Sequence, residues 1–161
     1  MITVSSNLAT NILIELVQPD SVMSTLELLG IRRMRVLRGV EDSKAFEKGW
    51  NNQTDACDLL RVMEAIASGK AGSLPSCRGM ILILEKQKFR AGIPAGVPAG
   101  LPVANKTGSI TGMEHDAAIV FPPGRRPYVL VVLTRGVKSS EEGEKLIARL
   151  SELIYGQVVP H

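Results

Sequence analysis

The sequence predicts an α+β fold: a mainly helical part, residues 1–102, followed by an antiparallel sheet and a covering helix in residues 103–161. Three observations predict it. In the first part, apolar residues recur at helical spacing behind polar capping residues. After the Pro/Gly-rich stretch 91–102 the chain turns β-branched. Finally, Ser139 to Glu144 opens an amphipathic segment with carboxylates at the positive end of a helix dipole. Helices followed by a block of strands are the pattern of an α+β chain. At 161 residues and 45% apolar content one domain is expected, with enough apolar surface for a core.

Taken in order, residues 5–17 read as a helix whose Leu8, Ile12, Ile14 and Leu16 face a core, ending at Pro19 and Asp20. A second helix runs from Ser21 to Leu29 and stops at Gly30, a natural C-cap. Residues 31–53 show little periodicity and read as a long loop with short turns, anchored by Trp50. Helical spacing returns from Thr54 to Gly69, with Thr54 or Asp55 as N-cap and Leu59, Leu60, Met63, Ile66 and Ala67 inside. Residues 75–89 form another helix, with Pro75 in its first turn. Val103–Thr111, Ala117–Phe121 and Tyr128–Thr134 read as strands, the last two joined through PPGRRP as a hairpin. Ser139 or Ser140 caps the final helix, with Leu146, Ile147, Leu150, Leu153 and Ile154 inside.

Composition excludes several classes. The net charge is +3, the basic residues are dispersed, and aromatic residues are 4%, which argues against a nucleic-acid partner. No run approaches the length of a membrane span, and the first residues lack the pattern of a signal peptide. Cys57 and Cys77 lack metal-ligand spacing, and with His115 and His161 they make no zinc set, so neither metal nor cofactor is expected. Cys57 reads as a small buried hydrophobe.

Two motifs carry the chemistry. Ser5-Ser6-Asn7 stands at a helix start, where a plain N-cap is the simpler reading. Lys106-Thr107-Gly108-Ser109 stands on a strand after the Pro/Gly-rich loop, 101 positions after Ser5. Together with Ser5-to-Ile14, Asn52-to-Leu59, Val103-to-Ser109 and the hairpin Asp116 to Thr134, they make the chain resemble the class A β-lactamases and related penicillin-recognising serine hydrolases. Ser5-Ser6-Asn7 resembles that family's S-D-N helix with Ser6 for aspartate, and Lys106 to Ser109 its K-T-G strand. The resemblance covers nearly the whole chain, in order, and implies a β-lactamase-like fold.

It also implies roles in acyl transfer to and from a serine. Lys106 is implied to supply positive charge for a ligand carboxylate, with the Thr107 and Ser109 hydroxyls as donors. Gly108 lets a ligand lie close to the strand, and the Ser109 N–H corresponds to an oxyanion-hole donor. Ser5 is implied to relay a proton to the leaving nitrogen, and Asn7 to orient substrate. The implied partner is a small carboxylate-bearing molecule. The compartment stays open, a periplasmic or secreted parent being compatible with the resemblance.

Two departures matter. No serine in the sequence has lysine three residues later, so the family's S-x-x-K nucleophile motif is absent from these residues. The chain is therefore expected to be N-terminally incomplete and inactive alone. It is expected to be stable as a homo-oligomer, or with a complementing N-terminal fragment covering the exposed edge of the Tyr128–Thr134 strand. The family's E-x-x-L-N is also missing. Glu41 is its only stand-in, and a solvated loop carboxylate is the simpler reading. His115 and Asp116 read as structural. The opposing functional class is a non-catalytic binding module that retains the carboxylate-binding strand.

Overall fold

The computed structural model describes residues 1–159, so His161, weighed above as a metal ligand, lies outside the described residues. A 3-10 turn at Ile2–Val4 leads into helices α1 (Asn7–Val17) and α2 (Pro19–Leu28). Short α3 (Ser43–Glu47) interrupts the following loop, and α4 (Ala56–Ala67) and α5 (Leu74–Glu85) come next. After a second 3-10 turn at Ile93–Gly96 come strands β1 (Val103–Ile110), β2 (Met113–Val120) and β3 (Tyr128–Leu133), then α6 (Ser140–Val158). The expected α+β architecture is present.

The strands form an antiparallel sheet in the order β1-β2-β3. Its middle strand is buried on both faces, which is why Ala117 to Val120 is a continuous apolar run. On one face Ala104, Ala117 and Ile119 pack with Met63 of α4 and Leu84 of α5. On the other, Val103, Ala118 and Val120 pack with Ile93 and with Ile147 of α6. Helix α6 is held close against the Ile93–Gly96 turn. At Gly96 a Cβ would stand 2.1 Å from the carbonyl oxygen of Ala148 and 2.6 Å from Ser151 Cβ, and the buried Ser151 hydroxyl donates to Ile93 O at 2.9 Å.

The polar caps formed where the spacing placed them. Ser6, Asp55 and Ser139 each accept a backbone N–H from the first turn of α1, α4 and α6. Helix α2 starts earlier than expected, because Pro19 occupies its first turn instead of ending α1. Strand β2 also begins four residues before Ala117: the two-residue Thr111–Gly112 link, with Gly112 at φ 72°, pairs Ile110 directly with Met113. Glu114, His115 and Asp116 are strand residues despite poor intrinsic preference.

Several expectations about faces are corrected. Leu8 and Leu16 of α1 are 72% and 77% exposed, and Ile12 is exposed too, so that stripe faces mostly solvent instead of a core. Only Ile14 of that set is half-buried. Leu60 and Ala67 of α4 and Leu146, Leu150 and Leu153 of α6 are likewise exposed, leaving Met63 and Ile147 as the buried members. Cys57 is exposed on α4; Cys77 is the buried cysteine. Trp50 is 57% exposed and does not anchor its loop. Polar tethers do so. Buried Asp58 accepts the backbone N–H groups of Arg33 and Met34 at 2.6 and 2.8 Å, and Asn52 accepts those of Leu37 and Arg38. An antiparallel bridge between Arg35 and Gln53 closes the loop base.

Candidate functional site

Ser5 is carried to the sheet by the chain before α1. The buried Gln87 side chain donates to Ile2 O at 2.9 Å, and Lys88 N donates to Thr3 O at 2.9 Å, fixing the 3-10 turn against the end of α5. Ser5 then adopts a left-handed backbone (φ 49°) one residue before the N-cap of α1. Its Oγ accepts a hydrogen bond from Lys106 Nζ at 2.6 Å. The two motifs separated by 101 positions thus meet directly.

Lys106 projects from β1 toward α1, and its Nζ also donates to Thr107 O. Among the described residues it forms no ion pair. Burial holds its ammonium below the ordinary lysine range, opposed by the Asp116 carboxylate. Asn7, in the first turn of α1, donates to Glu41 Oε1 at 3.0 Å, and Glu41 itself sits at φ 63°. That conformation is held from α1 as well. Asn11 accepts from Val40 N at 2.7 Å and donates to Val40 O at 3.0 Å. Glu41 is therefore hydrogen-bonded to the Ser5-Ser6-Asn7 segment while its carboxylate stays exposed, as the simpler reading had it.

Strand alternation sends Thr107 and Ser109 to the face opposite Lys106, where they pair with Asp116 and Glu114. The Ser109 hydroxyl donates to Glu114 Oε1 at 2.5 Å. It is engaged, not free for a ligand carboxylate. Gly108 and Ser109 lie exposed on an edge strand, beside a cavity of about 560 Å³. Ser5, Asn7 and Lys106 to Ser109 line part of it, and Glu114 and Glu144 line another part.

Glu114 and Asp116 were not recognised as site residues in the sequence. The signal was the short Thr111–Gly112 turn, which fixes the register and puts alternate residues of Glu114-His115-Asp116 beside Ser109 and Thr107. Glu114 is buried under α6, where a Cβ on Gly143 would stand 2.6 Å from it. Asp116 accepts from Ile93 N at 2.9 Å and from Asn105 Nδ2 at 3.1 Å. Burial pushes its pKa up to about 6, against the opposing pull of Asn105, the backbone N–H groups of Ile93 and Ala117, and Lys106. Asn105 Oδ1 is buried without a hydrogen-bond partner.

Comparison with known proteins bears on the family and the fold. A family model described as the beta-lactamase enzyme family matches residues 1–158. The beta-lactamase AST-1 of Nocardia asteroides is 31% identical over 162 aligned positions, 95% of this chain and 51% of that protein. The carbapenem-hydrolyzing beta-lactamase KPC of Klebsiella oxytoca is 28% identical, over 92% of this chain and 53% of that protein. The chain thus spans about half the length of these relatives. Among solved structures, the beta-lactamase of Sphaerobacter thermophilus superposes with a TM-score of 0.85 at 29% identity, covering 99% of this chain and 60% of that one. A mutant of PBP-A, solved as an acyl-enzyme complex with penicillin G, gives 0.87 at 26% identity over 98% and 58%. The chain belongs to the β-lactamase enzyme family, among the class A β-lactamase and penicillin-binding-like serine hydrolases.

Proposed function

We propose that residues 1–161 act as one β-lactamase-like unit that binds the acyl donor of a serine hydrolase reaction on a β-lactam, ester or peptide amide. The 2.6 Å contact between Ser5 and Lys106 carries the reading, because it joins the two motifs of the resemblance in one cavity. In this reading Lys106 attracts the carboxylate of the ligand, Thr107 offers a hydroxyl, and the exposed edge at Gly108 and Ser109 pairs with the ligand amide. Ser109 N–H serves as an oxyanion donor and Ser5 as the proton relay. Asn7 orients the substrate, and Glu41, held by Asn7, is the candidate base for deacylation. With no S-x-x-K in the sequence, the reaction through that motif's serine needs it supplied by another segment, in cis or in trans.

Isothermal titration with penicillin G is expected to give a saturable complex. Lys106→Ala is expected to weaken it about tenfold or more, the scale of one lost charge-assisted hydrogen bond. A complex indifferent to Lys106→Ala sinks the assignment. Supplying a segment with the S-x-x-K helix then separates the two classes. An adduct mapped to that segment's serine supports the hydrolase, whereas binding with no such adduct favours a carboxylate-binding module.

The partner reading rests on β3, a sheet edge among the described residues, and on the exposed leucines of α6. An unpaired edge strand is a template for association, and an exposed apolar stripe is a further surface to cover. Multi-angle light scattering is expected to report an oligomer that dissociates when the complementing segment is added. A monodisperse folded monomer would count against it.

A further inference from the structure

Ser5 combines features that a proton relay does not require. Its left-handed backbone (φ 49°) is unusual for serine and disfavoured by its Cβ. The residue precedes the amino end of an 11-residue helix, whose first N–H groups lack helical acceptors and favour negative charge. Lys106 Nζ is 2.6 Å from its Oγ, with no carboxylate in ion-pair contact among the described residues. The titratable groups sharing that cavity are Glu114, His115 and Asp116 of β2 and Glu144 of α6. Glu114 is bonded to Ser109, Asp116 to Asn105 and Ile93, and Glu41, outside the cavity, to Asn7. None of these carboxylates is recorded in direct contact with the lysine, so desolvation of its ammonium is only partly offset.

The geometry points to a second reactive serine: Ser5 Oγ, with Lys106 as its base, accepts an acyl group from an activated ester. The dyad follows the Ser–Lys variant of nucleophilic catalysis. Lys106, a cation toward a ligand carboxylate, acts here through its deprotonated fraction, whose Nζ takes the Oγ proton while the Oγ–C bond to the acyl carbon forms. The tetrahedral oxyanion faces the amino end of α1. It collapses with cleavage of the bond to the leaving alkoxide or phenolate, leaving an acyl-Ser5 ester. This step needs no S-x-x-K motif and stands or falls independently of the proposed hydrolase reaction.

The test uses the whole chain with p-nitrophenyl acetate, followed by tryptic mapping. The peptide Met1–Arg32 contains Ser5 together with Ser6 and the exposed Ser21 and Ser24, which serve as internal controls. Acetyl is expected on Ser5 at least tenfold faster than on those serines. Ser5→Gly, suited to the left-handed backbone, is expected to abolish it without unfolding the chain. Lys106→Arg keeps the cation and a donor but cannot accept a proton, so it is expected to slow labelling at least tenfold. The proposal is overturned if Ser5 labels no faster than Ser21, if acetyl accumulates on Lys106 instead, or if Lys106→Arg labels at the unsubstituted rate.

Discussion

Replacing Gly96 by alanine is expected to lower the unfolding free energy by about 3 kcal/mol, the upper part of the usual range for overpacking. The added methyl would stand 2.1 Å from Ala148 O and 2.8 Å from Glu152 N, both backbone atoms of α6. Backbone cannot step aside as a flexible side chain does, so α6 must withdraw from the Ile93–Gly96 turn. Withdrawal loosens the buried Ser151–Ile93 hydrogen bond and the packing of Ile147 on β2. Urea unfolding followed by circular dichroism reads the change. A loss below about 1 kcal/mol, within the ordinary scatter of substitutions, would show that α6 is not clamped there.

Asp116→Asn is expected to act in the opposite direction, and only at neutral and alkaline pH. The carboxyl has a folded pKa of about 6 against an ordinary 3.8, so between those values the folded state holds more protons than the unfolded one. The contribution of Asp116 is complete below pH 4, falls as pH rises through 6, and is absent above it. A shift of about two units corresponds to about 3 kcal/mol, an order-of-magnitude figure. The amide removes this slope. Its oxygen still accepts from Ile93 N, but its nitrogen replaces the oxygen that accepts from Asn105 Nδ2, so Asn105 must turn its amide to present the unpartnered Oδ1, giving up its bond to Phe89 O. Urea titrations at pH 4.5 and 7.5 are expected to find the variant about 1–3 kcal/mol more stable at the higher pH only. A stability difference independent of pH would place the titration elsewhere.

What was legible in the sequence follows the range of each interaction. Caps, turns and periodicity are local, and Ser6, Asp55, Ser139 and the three strands could be read from neighbouring residues. The Lys106-Thr107-Gly108-Ser109 run was visible because its order is contiguous. Which side of a helix is covered is not local. Leu8 and Leu16 have the same spacing as a core-facing stripe, yet they remain mostly exposed. Trp50 was overrated because bulk suggests an anchor, whereas Asp58 and Asn52 hold that loop through backbone N–H groups. The Ser109–Glu114 bond escaped notice because Glu-His-Asp reads poorly as strand, although the two-residue turn imposes that register.

The grip of α1 on its neighbouring loop has one more consequence. Asn7 and Asn11 stand one turn apart on the same helix face, holding Glu41 and Val40 respectively. Two asparagines therefore splice loop and helix into a single cooperative unit. Fraying of α1, whose leucines gain little from burial, would release the Glu41 carboxylate in the same event. The loop thus inherits the stability of its backbone at Val40 and Glu41 from a helix it does not belong to.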